Sequence, residues 1–543
     1  MESVRVSGVD DRLRAGERLS CPAMNRFLAA LVLSVAFLWA PAAASATYLP
    51  QERIPTDSPV YRDLERLATS WGVQPKFLSS RPLRRVEALE FLRGLAEARA
   101  GAEEDPAFQR SMRLLDPAAH GATKPLISIA GEDNERLEAS PYASLLYEDD
   151  PRNNPDVNRD YRVGIAVAGA PDTSTVFVAN FYEGTASQGG RGTPDFGDFN
   201  SLIEGVDFNS YVNEAYVEFP VSRLRFLFGH TWLRWGPGES GTLALSDAAP
   251  ALDMLRVEAG MFRKLRYTQF VSLLDPGPET YLAGHRLEWA ACDRTTIGIT
   301  EMARFDGTSQ APLYVMPFVP YSFWEKRPKS GGLSPADSTG DLLRKNNVLL
   351  ATDLTWIVHP GWRLHGEFLM DDYSFSSDYK PDMLGYQAGA DWRRTLKGLG
   401  AIGAAVEYSR VNNFTYSVWH HHDFDFDGFP TGYVLGPDVQ ALSGEATLEW
   451  GPAWEFRIRG EWRRKGEGQI GDAWTKADGK VDAAAFQGVV ERETRVSAAG
   501  IYSPARWLRV EAVVGQASIK NLDHLPTPPE NEVPFRISGH VEW

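Results

Sequence analysis

Glu455-Phe456-Arg457-Ile458-Arg459-Gly460-Glu461-Trp462-Arg463 is the stretch that decides the fold of this chain. Charged residues take every odd position and apolar residues or glycine every even one. Successive strand residues face opposite sides, so this is a strand with one greasy and one charged face. The last segment repeats the pattern, Phe535, Ile537, Gly539, Val541 and Trp543 alternating with Arg536, Ser538, His540 and Glu542. A soluble sandwich alternates in the same way, so one strand leaves its surroundings open.

The connections discriminate better. Eighteen such segments can be drawn, from 139–148 to 534–543, many near the ~9–11 residues that a tilted membrane strand needs. Every second connection is short, as at Ala170 to Thr173, Pro220 to Ser222, His359-Pro360-Gly361, Gly451-Pro452-Ala453 and Ser503-Pro504-Ala505. The intervening ones are mostly long and polar, as at 184–208, 234–253, 305–345, 412–439 and 465–491. Tight turns alternating with long loops are the pattern of an outer-membrane barrel, turns in the periplasm and loops outside. A soluble Greek-key protein has no reason to sort its loops by parity. The expected fold is an all-β transmembrane barrel of about eighteen antiparallel strands, covering 131–543.

Composition agrees once the two faces are separated. The formal net charge is −16 and 43% of residues are apolar. The mean hydropathy of −0.30 averages lipid-facing Phe456 and Ile458 with lumenal Glu455 and Arg457. The acidic balance excludes a nucleic-acid partner, which calls for a basic face. Met24-Asn25-Arg26, the apolar run Phe27 to Trp39 and Ala44-Ser45-Ala46 read as a cleaved signal peptide within 1–46, with Met24 the better start. Only Cys21 and Cys292 occur, so the chain expected after cleavage has no internal disulfide, which suits a bacterial envelope protein.

Between these parts, 47–130 reads as a small periplasmic helical region. Val60, Leu64, Leu67, Ala68 and Trp71 recur at three- and four-residue steps behind the opening Thr56-Asp57-Ser58-Pro59. Val86, Leu89, Leu92 and Leu95 repeat the stripe, and Phe108, Met112 and Leu115 suggest a third, shorter helix.

The most distinctive stretch is Asn213 to Phe219, then Gly229 to Trp235, Gly236-Pro237-Gly238 and Leu243-Ala244-Leu245-Ser246-Asp247. It resembles the signature of the Wzi-type capsule-assembly outer-membrane proteins, an R-W-G-P-G loop followed by a short L-S-D/N segment. The loop Phe429 to Asp438, with Gly436-Pro437-Asp438, is close to that family's second pattern, and the proline-opened helix from Pro59 is a third likeness. The resemblance spans about Tyr48 to Trp543. It implies an eighteen-stranded barrel in the bacterial outer membrane, with helices in the periplasm. It also implies a non-enzymatic lectin that binds surface or capsular polysaccharide and assists its assembly. Implied partners are that polysaccharide, outer-membrane lipid and lipopolysaccharide, and a polysaccharide export complex; a transport pore is the alternative.

Arg234 pairs with an acidic sugar while the Trp235 indole stacks on a ring, or both pack inward as a plug; the rigid G-P-G turn favours the plug. In loop 305–345, Tyr321, Trp324 and Arg327 suit an anionic glycan and equally a self-packed lid. Trp419 is a further loop aromatic. His420-His421-His422 and Asp423 to Gly428 imitate half a calcium loop, but Val434 stands where the bidentate Glu belongs, so neither metal nor cofactor is expected. No nucleophile elbow, zinc-protease motif or phosphate loop occurs, and no enzyme is expected. Glu214, Glu218, Arg457, Arg459, Glu461, Arg463, Arg509, Glu511 and Arg536 form the expected lumen charge network.

Overall fold

The computed structural model describes residues 49–116, 125–131, 135–150, 157–184, 209–325, 346–372, 381–418, 422–472 and 482–542. The signal segment, Arg327, Trp419, His420, His421 and Trp543 lie outside them.

Three helices form as their stripes predict. Helix α1 (Pro59–Trp71) opens on Ser58, whose side chain accepts from the Val60 N–H, and ends at left-handed Gly72. In α2 (Arg85–Ala98) Leu89, Leu92 and Leu95 are buried. In α3 (Pro106–Leu115) Asp105 caps the Ala107 N–H. The apolar faces meet in one cluster that includes Leu64, Leu67, Leu89, Leu92, Phe108 and Leu115.

The sheet closes on itself. Its strands are β1 (Arg136–Asp149), β2 (Val157–Ala170), β3 (Val176–Gly184), β4 (Asn209–Val221), β5 (Leu224–Thr231) and β6 (Leu252–Met261). Next come β7 (Leu265–Asp275), β8 (Thr280–Cys292), β9 (Thr295–Asp306), β10 (Asn347–His359), β11 (Trp362–Asp372) and β12 (Met383–Leu396). The circuit ends with β13 (Gly400–Val411), β14 (Val439–Trp450), β15 (Trp454–Lys465), β16 (Glu491–Ala505), β17 (Leu508–Lys520) and β18 (Phe535–Glu542). All neighbours are antiparallel, and β18 returns to β1 from Phe535↔Asp149 to Glu542↔Tyr142. Eighteen strands therefore form a closed barrel, as the segment count predicts. Closure matters in lipid because an open edge would leave backbone polar groups without partners.

Two details differ from the sequence reading. Ile127–Ala130, assigned there to the helical region, is a strand that pairs with Arg136–Ala139 of β1. Ser503-Pro504-Ala505, read as a turn, belongs to β16, and the chain reverses at Arg506-Trp507 instead. Pro504 has no N–H to give the ladder, and the register with β17 shifts between Tyr502 and Ala505.

Outward positions are apolar, among them Phe456, Ile458, Val406 and Leu354. Exposed Trp289, Trp356, Trp362, Trp450 and Trp454 crowd the short-turn end, and Phe181, Tyr386 and Trp462 lie toward the other. An apolar band between aromatic girdles is how a barrel sits in the outer membrane. No described helix is long and apolar enough to cross a membrane.

The helices dock in the short-turn end, which is periplasmic. Gly361 N donates to Thr69 O at 2.6 Å, Gln74 N to Asp293 O at 3.0 Å, and Arg113 Nη1 to Pro504 O at 2.6 Å. Ion pairs tie the bundle to the wall: Arg53 to Glu218 at 2.7 Å, Arg66 to Glu455 at 2.7 Å, and Asp105 to Arg393 at 2.8 Å.

Candidate functional site in the barrel lumen

After Thr231 the chain leaves the wall and turns into the lumen. The turn needs glycine: a Cβ on Gly236 would lie 2.2 Å from a Glu367 carboxylate oxygen, and one on Gly238 2.2 Å from the Gly241 carbonyl. That closeness lets two wall carboxylates hold the loop by its amides. Glu367 of β11 accepts from Gly238 N at 3.0 Å and Leu243 N at 2.7 Å. Glu407 of β13 accepts from Glu239 N at 2.7 Å and Ser240 N at 2.9 Å. Burial, then repulsion from Asp391, pushes the Glu239 carboxyl up to about 7.

Arg234 and Trp235 are both buried in this plug. Arg234 pairs with Asp247 at 3.3 Å and donates to the Gly238 carbonyl, so its carboxylate partner comes from its own loop and not from the wall. Trp235 bridges to Ser80 of the helical region and meets Phe270 edge-on at 5.3 Å.

The two sequence motifs, almost two hundred residues apart, meet here. Ser246 N donates to Thr431 O at 2.8 Å, and the Ser246 hydroxyl donates to Gly432 O. Tyr416 Oη donates to Leu243 O at 2.7 Å and accepts from Tyr433 N at 3.1 Å. Left-handed Gly436 and Pro437 carry the chain out again, and Lys465 Nζ donates to Pro437 O at 2.5 Å. Asp438 accepts from Gln487 N at 2.9 Å and Gly468 N at 3.3 Å, fastening the next loop. Leu243, Leu245, Tyr416, Phe424 and Tyr433 share one apolar core with wall residues Phe270, Met302 and Leu369.

The described part of loop 305–345 is a self-packed lid. Tyr321 is buried, its N–H donating to Glu301 at 2.7 Å, and Phe305 stacks on Tyr314 at 4.1 Å. Trp324 is half-buried against this cluster, whereas Phe318 and Phe323 are 60% and 66% exposed. The His/Asp run is engaged locally: His422 pairs with Asp306 at 2.9 Å and Asp425 with Arg304 at 2.9 Å.

The lumen network forms with partners beyond those expected. Glu218 holds Arg53 at 2.7 Å, Arg225 at 2.7 Å and Arg256 at 3.4 Å. Arg457 reaches Glu455 at 3.2 Å, Arg459 reaches Glu461 at 2.9 Å, and Arg463 reaches Glu491 at 2.9 Å. Glu214 is the correction: it accepts from the Thr231 hydroxyl at 2.5 Å and makes no ion pair among the described residues. Glu367, Glu407, Arg363 and Arg393 went unnoticed in the sequence, although each stands at an inward strand position.

The plug packs against β7–β13, which leaves space along β14–β18. A cavity of about 500 Å³ beside the plug and one of about 490 Å³ above α1 share Arg62, Arg234, Glu239, Asp247, Arg457, Glu511 and Arg536.

No family model and no curated protein matches the sequence. Among solved structures it is similar to Wzi, an Escherichia coli outer-membrane protein involved in group 1 capsule assembly and described as a carbohydrate-binding β-barrel. The TM-score is 0.61 at 14% identity, over 90% of this chain and 99% of that one. The fold is that of the Wzi barrel. Likeness to Pseudomonas aeruginosa OprD (TM-score 0.41, 12% identity, 75% of this chain and 95% of that one) is looser. So is likeness to OccD3 from the same organism (0.43, 10%, 78% and 95%). The Wzi likeness agrees with the family resemblance carried by the R-W-G-P-G motif, as far as fold and outer-membrane setting are concerned.

Proposed function

We propose that this barrel binds surface polysaccharide at its extracellular rim and assists its assembly or attachment there, without chemistry of its own. The observation that carries this reading is the composite plug. Two separate loops are spent on narrowing the lumen of a Wzi-type barrel, which favours the rim as the working surface. Exposed Phe318 and Phe323 lie on that rim, and flat apolar rings suit the C–H faces of sugars. The test is pull-down of the producing strain's own polysaccharide by the purified barrel, together with the amount of cell-bound polysaccharide in a deletion strain. Absence of binding with unchanged cell-bound polysaccharide would overturn the reading.

A transport pore is the second reading, favoured by the space left beside the plug. A large, stable single-channel conductance in planar bilayers would favour it over the lectin.

A further inference from the structure

Three guanidiniums converge on one carboxylate where the two lumen cavities join. Arg536 reaches Glu511 at 2.8 Å, Arg457 at 3.3 Å and Arg509 at 3.3 Å. Glu455, the other carboxylate beside Arg457, is already held by both terminal nitrogens of Arg66, at 2.9 and 2.7 Å. The remaining carboxylates of the lower cavity have cations near them: Asp63 has Arg110 at 2.6 Å, Glu65 has Arg81 at 2.8 Å, Asp247 has Arg234 at 3.3 Å, and Glu239, which lines both cavities, has Arg363 at 3.9 Å. Asp57 stands exposed at the start of α1.

Around Glu511 itself guanidiniums therefore outnumber carboxylates, and their donors are accessible. The side chains of Arg536, Arg509 and Arg62 are 43%, 34% and 37% exposed although all three point into the lumen. Arg62 approaches its nearest carboxylate, Glu445, only to 3.6 Å. Each guanidinium has five N–H donors in a planar fork that matches a carboxylate, so one shared Glu511 leaves most of them to water.

We infer that Arg62, Arg457, Arg509 and Arg536 form a lumenal site for a hydrophilic carboxylate of sugar-acid size. The cavity is in the range of small-molecule pockets, roughly 300–1,000 Å³. Charged and hydroxyl-bearing side chains with few aliphatic ones line the lower cavity, which suits a hydroxylated carboxylate. The site stands apart from the reading of the outer rim and would exist in a lectin or a pore alike.

The test uses the full barrel in detergent and glucuronate as probe, with glucose and inorganic sulfate as controls, read by isothermal titration calorimetry. Glucuronate is expected to bind, glucose not, and sulfate more weakly. The double variant R509Q/R536Q should weaken glucuronate about tenfold or more. E511Q, which removes the competing carboxylate, should tighten it. Unchanged heat-modifiable gel migration shows that each variant is folded. Three outcomes would overturn the proposal: no glucuronate binding, binding unaffected by R509Q/R536Q, or sulfate binding as tightly as glucuronate.

Discussion

Asp105 does two jobs with one carboxylate: it caps α3 at the Ala107 N–H and takes both terminal nitrogens of Arg393 on β12, at 2.9 and 2.8 Å. Burial pushes this carboxyl up, but the Arg393 hydrogen bond and charge outweigh it and hold it below its usual range. Asp105→Ala removes a cap and leaves a buried guanidinium short of a partner. Breaking such a pair costs about 3–5 kcal/mol. The expected result is a barrel that still migrates as folded but whose helices become sensitive to limited proteolysis.

Glu87 on α2 predicts how acid acts on the same junction. Burial raises its carboxyl, and Arg266 and Arg84 bring it down to about 2. A depressed carboxyl stabilises the folded state above its ordinary value, near 4.3, and that stability is lost as pH falls toward 2. Helix docking, followed by protease protection, should hold down to about pH 4 and fail below it. E87Q should dock less firmly at neutral pH and show little further loss in acid.

Glu239 works in the opposite direction. Its carboxyl, raised to about 7, fits the plug when neutral, and that stability is lost as pH rises from its ordinary value, near 4.3, to about 7. Cleavage of the 236–246 segment by an added protease should increase as pH rises from about 4 toward 7 and level off above it. Glu239→Gln should remove the dependence.

Gly238 is the position where a single methyl should loosen the plug. A Cβ there would sit 2.2 Å from the Gly241 carbonyl, which cannot move without the loop. Gly238→Ala should cost about 1–3 kcal/mol and raise single-channel conductance in planar bilayers, while the barrel stays folded.

Phe318 and Phe323 test the rim. Both are largely exposed, so Phe323→Ala should leave stability within about 0.5 kcal/mol of the parent. The double variant F318A/F323A should weaken polysaccharide pull-down about tenfold, the equivalent of about 1.4 kcal/mol.

Much of the scaffold was legible because the signals for it are local. Alternation in 455–463 marked Phe456 and Ile458 as outward and Glu455 as inward, and the three helical stripes preceded the three helices found. The candidate site was legible only in part. The glycines of Gly236-Pro237-Gly238 announced a sharp turn and favoured a plug, but nothing local singled out Glu367 and Glu407, which hold that turn. Arg234 and Trp235 were open to a sugar-binding reading beside the favoured plug; their burial depends on Asp247, Ser80 and Phe270.

By itself, then, the amino-acid order determined a membrane barrel, because side-chain alternation and turn parity are written within ten to twenty residues. Tertiary structure alone decided what fills the barrel. The Ser246–Thr431 contact, the clasp of Arg393 on Asp105 and the convergence of Arg457, Arg509 and Arg536 on Glu511 join residues from different strands and loops. Such partners meet only once eighteen strands have closed in one register, and closure is a property of the whole sheet.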